Sequence, residues 1–71
     1  MTSDLTVVTW KEGNDWVSEC LNNHVSSFGS TREESERNIQ EALELFYEGE
    51  RDIQVPAIDQ ASVSVKQLGH A

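Results

Sequence analysis

From Ser30 to Glu50 the chain reads STREESERNIQEALELFYEGE, and its apolar positions recur with the 3.6-residue period of an amphipathic helix. Ser35, Ile39, Ala42, Leu43, Phe46 and Tyr47 fall on one side, and Glu33, Glu34, Arg37, Gln40, Glu41, Glu44 and Glu48 on the other. Thr31 and Glu34 have capping-box spacing, in which the hydroxyl takes a free amide of the first turn and the carboxylate reaches back to the cap. Gly49 suits the left-handed residue that closes a helix. The pattern predicts a helix over 31–48, anchored by Leu43 and Phe46, with Glu33 and Arg37 placed as an i,i+4 surface pair.

Elsewhere the period is two. Leu5 to Lys11 is rich in β-branched and aromatic residues, Gly13-Asn14-Asp15 supplies turn chemistry, and Trp16 to Leu21 follows, so the two runs read as a hairpin. Asn22-Asn23 makes a second turn before a weaker strand from His24 to Phe28, closed by Gly29. Beyond the helix, Glu50 to Gln60 reads as a loop around Pro56, and a fourth strand is expected over Ala61 to Leu68. The order β-β-β-α-β predicts a single α+β domain over 1–71. It is a two-layer sandwich with one helix across a small sheet, the last strand returning beside the first by a right-handed crossover.

Alternation puts Leu5 and Val7 on one face of the first strand, and Val8 and Trp10 on the other. The second strand opposes Val17 and Leu21 to Trp16 and Cys20. Both faces of the sheet are therefore apolar, and one helix covers only one of them. The other, to which Trp10 and Trp16 are assigned, is the natural interface; the alternative is that one tryptophan packs over the sheet edge.

A 71-residue chain buries only about 60% of its unfolded surface. With a single cysteine, Cys20, it has no disulfide to staple it, so a homodimer or higher homo-oligomer is expected. No apolar run approaches the roughly 20 residues of a membrane span and no hydrophobic leader opens the sequence, which points to a cytoplasmic protein. Five Lys and Arg stand against 13 Asp and Glu, a net charge of −8 that repels nucleic-acid phosphates and leaves either simple solubility or a basic protein partner as its purpose.

Catalytic chemistry has no visible constellation. Cys20 lies in mid-strand without a basic activator and reads as a core thiol. His24 and His70 are isolated, the glutamates are strung along a solvent face, and Gly13 and Gly29 occur singly rather than in a phosphate loop. No cofactor or metal is expected.

Asp15-Trp16-Val17-Ser18-Glu19-Cys20-Leu21, Val25-Ser26-Ser27-Phe28-Gly29-Ser30-Thr31, Glu33-Glu34 and Asn38-Ile39-Gln40-Glu41-Ala42-Leu43-Glu44-Leu45-Phe46 together resemble the N-terminal domain of HicB-like antitoxins over residues 5–50. The resemblance implies a partial ribonuclease-H-like fold without that enzyme's carboxylates. It also implies the function of an antitoxin in a type II toxin-antitoxin system, which binds and blocks a HicA-like mRNA-cleaving toxin. Departures occur at Ser35, where Ala is usual, at Glu36, where a large apolar residue is usual, and at Phe28, where Gln is frequent. Many such antitoxins add a C-terminal DNA-binding domain, which is not expected here, so direct nucleic-acid binding is not expected either. The residues expected to meet the toxin are Trp10 and Trp16 on the sheet and Glu33, Glu41, Glu44 and Glu48 on the helix. The competing reading is a stand-alone oligomerising regulatory domain with no toxin partner.

Overall fold

The computed structural model describes residues 4–69. Three strands, β1 (Val7–Glu12), β2 (Asp15–Cys20) and β3 (Ser26–Gly29), precede the helix α1 (Arg32–Phe46). The strands form one antiparallel sheet in the order β1-β2-β3, and α1 lies across one face, an α+β arrangement of two layers.

The β1–β2 hairpin turns on Gly13, whose φ of 62° is open to glycine at no steric cost. That two-residue turn sets the register: Val7 opposes Cys20, Thr9 opposes Ser18, Trp10 opposes Val17 and Lys11 opposes Trp16. Register decides face, because successive side chains point to opposite sides of the sheet. Val7, Thr9, Lys11, Trp16, Ser18, Cys20, Ser27 and Gly29 share the helix side, and Val8, Trp10, Glu12, Asp15, Val17, Glu19, Ser26 and Phe28 share the open side. Trp10 and Trp16 are thus on opposite faces, a correction to the shared face expected of them.

Thr31 caps the helix, its hydroxyl accepting from the Glu34 amide at 3.0 Å. Glu34 reaches back one residue further than the capping box prescribes, its Oε1 accepting from the Ser30 amide at 3.4 Å. The surface pair of the first turns is Arg32 with Glu36, at 3.4 Å, in place of the expected Glu33–Arg37 pair. The buried stripe is narrow: Ser35, Ile39 and Leu43 repeat every fourth residue, and Tyr47, the next in that series, is half-buried. Phe46 lies about 100° around the helix from Tyr47 and is 58% exposed, so it does not anchor the helix as expected; it meets Tyr47 edge to face at 4.9 Å. The helix ends at Phe46, leaving Glu48 in the turn that closes at Gly49, whose φ is 84°.

Cys20, Ile39 and Leu43 form the core, with Leu5, Val25 and Tyr47 packed against it. Gly29 lets the helix come close: a Cβ there would stand 2.7 Å from the Ser35 amide nitrogen and 2.9 Å from the Glu34 Cβ. The Asn38 amide also donates to the Phe28 carbonyl at 2.9 Å, so α1 is drawn toward β3 and away from β1.

No fourth strand forms among the described residues. Residues 61–69 carry no regular structure and are exposed throughout, contrary to the strand expected at Ala61 to Leu68. Residues 53–56 remain tied to the domain, with Ile53 lining the cleft beside Leu5 and Val7, and the Asn22 amide donating to the Pro56 carbonyl at 2.7 Å.

Candidate protein-binding face

On the open side of the sheet, Trp10, Val17 and Phe28 stand directly opposite one another across the three strands. Cross-strand neighbours of this kind sit about 5 Å apart and pack side by side, so they make one continuous apolar row. Its outer member, Phe28, is 68% exposed while Trp10 and Val17 are half-buried, and the helix lies on the other face of the sheet. Sequence reasoning named Trp10 but overlooked Val17 and Phe28. The two-residue turn held that information, because it fixes Trp10 against Val17 without any choice of register.

Acids flank the row on both of its long sides. Glu12 and Asp15 oppose each other next to the turn, and Glu19 lies on the far side, where His24 Nδ1 is 3.4 Å from its Oε2. The indole N–H of Trp10 donates to Glu12 Oε1 at 3.3 Å, so the ring is steered by the carboxylate beside it. Glu12, Asp15, Val17 and Phe28 together line a shallow hollow with Ser26 and Ser27. An apolar centre with an acidic rim is complementary in its chemistry to a basic protein surface, whose contact would dry the row and set cations against the carboxylates at its edge.

The six contact residues expected from sequence do not form one surface. Trp16 is half-buried on the helix side. Glu33, Glu41 and Glu44 are exposed on α1, and Glu48 is exposed just past its end. Glu41, Glu44 and Glu48 do border a common hollow with Leu45, and Glu44 accepts from the Gln40 amide at 3.1 Å. That acidic patch belongs to the helix layer, whereas Trp10 belongs to the opposite side of the sheet. A small rigid partner meets one or the other.

Cys20, fully buried, sits within 3.7 Å of Asn22 Oδ1 and is a packing residue. Among the described residues no helix is long and apolar enough to cross a membrane. No protein-family model matches the chain, and neither a curated protein nor a solved structure matches it.

Proposed function

We propose that this protein is an inhibitory binding module of the antitoxin kind, which seats its open sheet face on a HicA-like, mRNA-cleaving toxin. The observation that carries this reading is the apolar row Trp10-Val17-Phe28 on the face away from the helix, with Phe28 exposed and Glu12, Asp15 and Glu19 around it. A nuclease that holds RNA must present cations to phosphates, and an acidic face with an aromatic anchor competes for that same basic surface. The net charge of −8 speeds the encounter in the same direction. The element order β-β-β-α fits the first part of the partial ribonuclease-H-like domain that the resemblance implies.

The experiment is inhibition of RNA cleavage by a HicA-like ribonuclease from the same genome, titrated with the purified chain. The wild-type chain stops cleavage stoichiometrically, and the Trp10→Ala and Glu12→Lys/Asp15→Lys variants inhibit poorly while keeping the fold. A wild-type chain that neither binds nor inhibits the nuclease refutes the antitoxin reading.

A further inference from the structure

Along the other side of the molecule, β1 is a sheet edge, and because α1 leans toward β3 a cleft opens between the helix and that edge. Val7, Thr9, Ile39 and Leu43 floor it, and it continues past Leu5 to Tyr47. Two needs are unmet there. The outer backbone groups of β1 have no ladder partner among the described residues, and Val7 keeps 36% of its surface exposed above an otherwise closed core.

The same chain holds a segment of the complementary kind. Ala61-Ser62-Val63-Ser64-Val65-Lys66 alternates small or apolar with polar residues, the pattern of a half-buried strand. Yet Val63 is 80% exposed and Val65 92%. Asn22 holds Pro56 at the end of the sheet where β1 begins, and from there the chain leaves the domain: residues 59–69 are all exposed, and the molecule is 51 Å long against 27 and 18 Å in its other directions.

We propose that residues 61–68 of one copy add as a strand to the β1 edge of a second copy, reciprocally, closing a two-fold dimer. A tail that carries its apolar alternation away from its own cleft finds the identical cleft on a neighbour, and a two-fold axis satisfies both at once. The lengths agree: the six residues of β1 span about 20 Å at 3.3 Å per residue, and eight residues of tail cover them. So does the polarity. With Val63 and Val65 turned under the helix onto Val7, Ile39 and Leu43, the opposite parity puts Lys66 on the side of the sheet that carries Glu12, Asp15 and Glu19. The strand's backbone supplies affinity and the two valines fix the register, as in other strand additions.

The decisive experiment is a filtered NOE spectrum of the full chain, recorded on a one-to-one mixture of isotope-labelled and unlabelled copies refolded together. Sedimentation equilibrium runs alongside. Methyl contacts from Val63 and Val65 of one copy to Ile39 and Leu43 of the other are expected, with a mass about twice the 8.0 kDa of the chain. The full-length Val63→Asp/Val65→Asp variant is expected to sediment at the mass of one chain with its helical circular dichroism retained. The proposal is overturned if those methyl contacts arise only within one copy, if the tail methyls contact neither copy, or if the wild-type chain is monomeric at millimolar concentration. A dimer that survives both aspartates also overturns it.

Discussion

Ser18 and Ser35, neither with any exposed surface, join the two layers by a hydrogen bond between their hydroxyls, and Thr9 extends the chain to the edge strand with its Oγ1 2.8 Å from Ser18 Oγ. A buried hydroxyl without a partner costs about 1–3 kcal/mol, so this line of three is stable because every member is satisfied. Ser18 is the central link. Ser18→Ala strands both neighbours and is expected to cost about 1–2 kcal/mol. Ser35→Ala leaves the Thr9–Ser18 bond standing and gains a few tenths in helix propensity, so it is expected to cost less than about 1 kcal/mol. Urea denaturation of the two single variants and the double variant closes the cycle. The expected coupling is about 0.5–1.5 kcal/mol, and strict additivity would show that the bond contributes nothing.

Gly29 and Gly13 are constrained for different reasons, and alanine separates them. At Gly29 the new methyl meets backbone, the Ser35 nitrogen at 2.7 Å, and must push the helix off the sheet. Gly29→Ala is expected to cost about 1–3 kcal/mol, with amide shifts spreading through the first turn of α1. At Gly13 there is open space but φ is 62°, so Gly13→Ala carries only backbone strain of about 1–2 kcal/mol. Its amide shifts stay within the hairpin. Thermal melts and a pair of amide correlation spectra check both outcomes.

Leu43 and Phe46 look equivalent on a helical wheel, and the structure makes them unequal. Leu43 is 6% exposed at the junction of the core and the cleft, whereas Phe46 is 58% exposed. Leu43→Ala is expected to cost about 2–5 kcal/mol, enough to unfold a domain this small, and Phe46→Ala less than about 1 kcal/mol. Equal losses in chemical denaturation would mean that the helix is rotated from the position described.

Three strands, their order and the capped helix were legible because each rests on local chemistry: the Gly13 turn, the Thr31 cap and the i,i+4 stripe through Ile39 and Leu43. What was illegible depends on how layers meet. A wheel gives Phe46 and Tyr47 similar claims to the core, and only the seating of α1 over β3 decides between them. Alternation alone pairs Trp10 with Trp16 or parts them according to the count of turn residues, which set the open face as Trp10, Val17 and Phe28. The tail from Ala61 to Leu68 has a strand's pattern and no ladder, since a pattern states which face is to be buried and not against what. Asn22-Asn23, legible only as a turn, proves to be a junction: Asn22 Oδ1 accepts from the Thr6 amide at 2.7 Å, and the Asn23 amide donates to the Tyr47 hydroxyl at 2.7 Å.

That junction is testable through the chain ends it holds. Asn22→Ala removes the acceptor of the Thr6 amide and the donor to the Pro56 carbonyl together. The Pro56 carbonyl is exposed and regains water, whereas the Thr6 amide is part-buried, so the expected loss is about 1–2 kcal/mol. The sharper readout is hydrogen exchange. Protection at Thr6 is expected to fall at least tenfold, while the amides of β2 that pair with β3 keep theirs. A Thr6 amide that exchanges as slowly as before would show that this contact does not fasten the start of β1.

Trp10 and Trp16 provide the test that separates the proposed binding face from the folding core. Trp16 is on the helix side of the sheet and half-buried, so Trp16→Ala is expected to lower stability by about 1–3 kcal/mol and to weaken binding only as far as it unfolds the chain. Trp10 is half-buried too, but on the open side, among its neighbours in the row and beside the Glu12 carboxylate rather than under the helix, so Trp10→Ala is expected to cost less, about 1 kcal/mol. Against a basic ribonuclease partner the same substitution removes the anchor of the face. Its Kd is expected to rise roughly 30-fold, the equivalent of about 2 kcal/mol, chiefly through faster dissociation. Surface plasmon resonance at temperatures where each variant is fully folded gives the comparison. If Trp16→Ala raises the dissociation rate and Trp10→Ala does not, the partner binds on the helix side, and the row Trp10-Val17-Phe28 is not the contact.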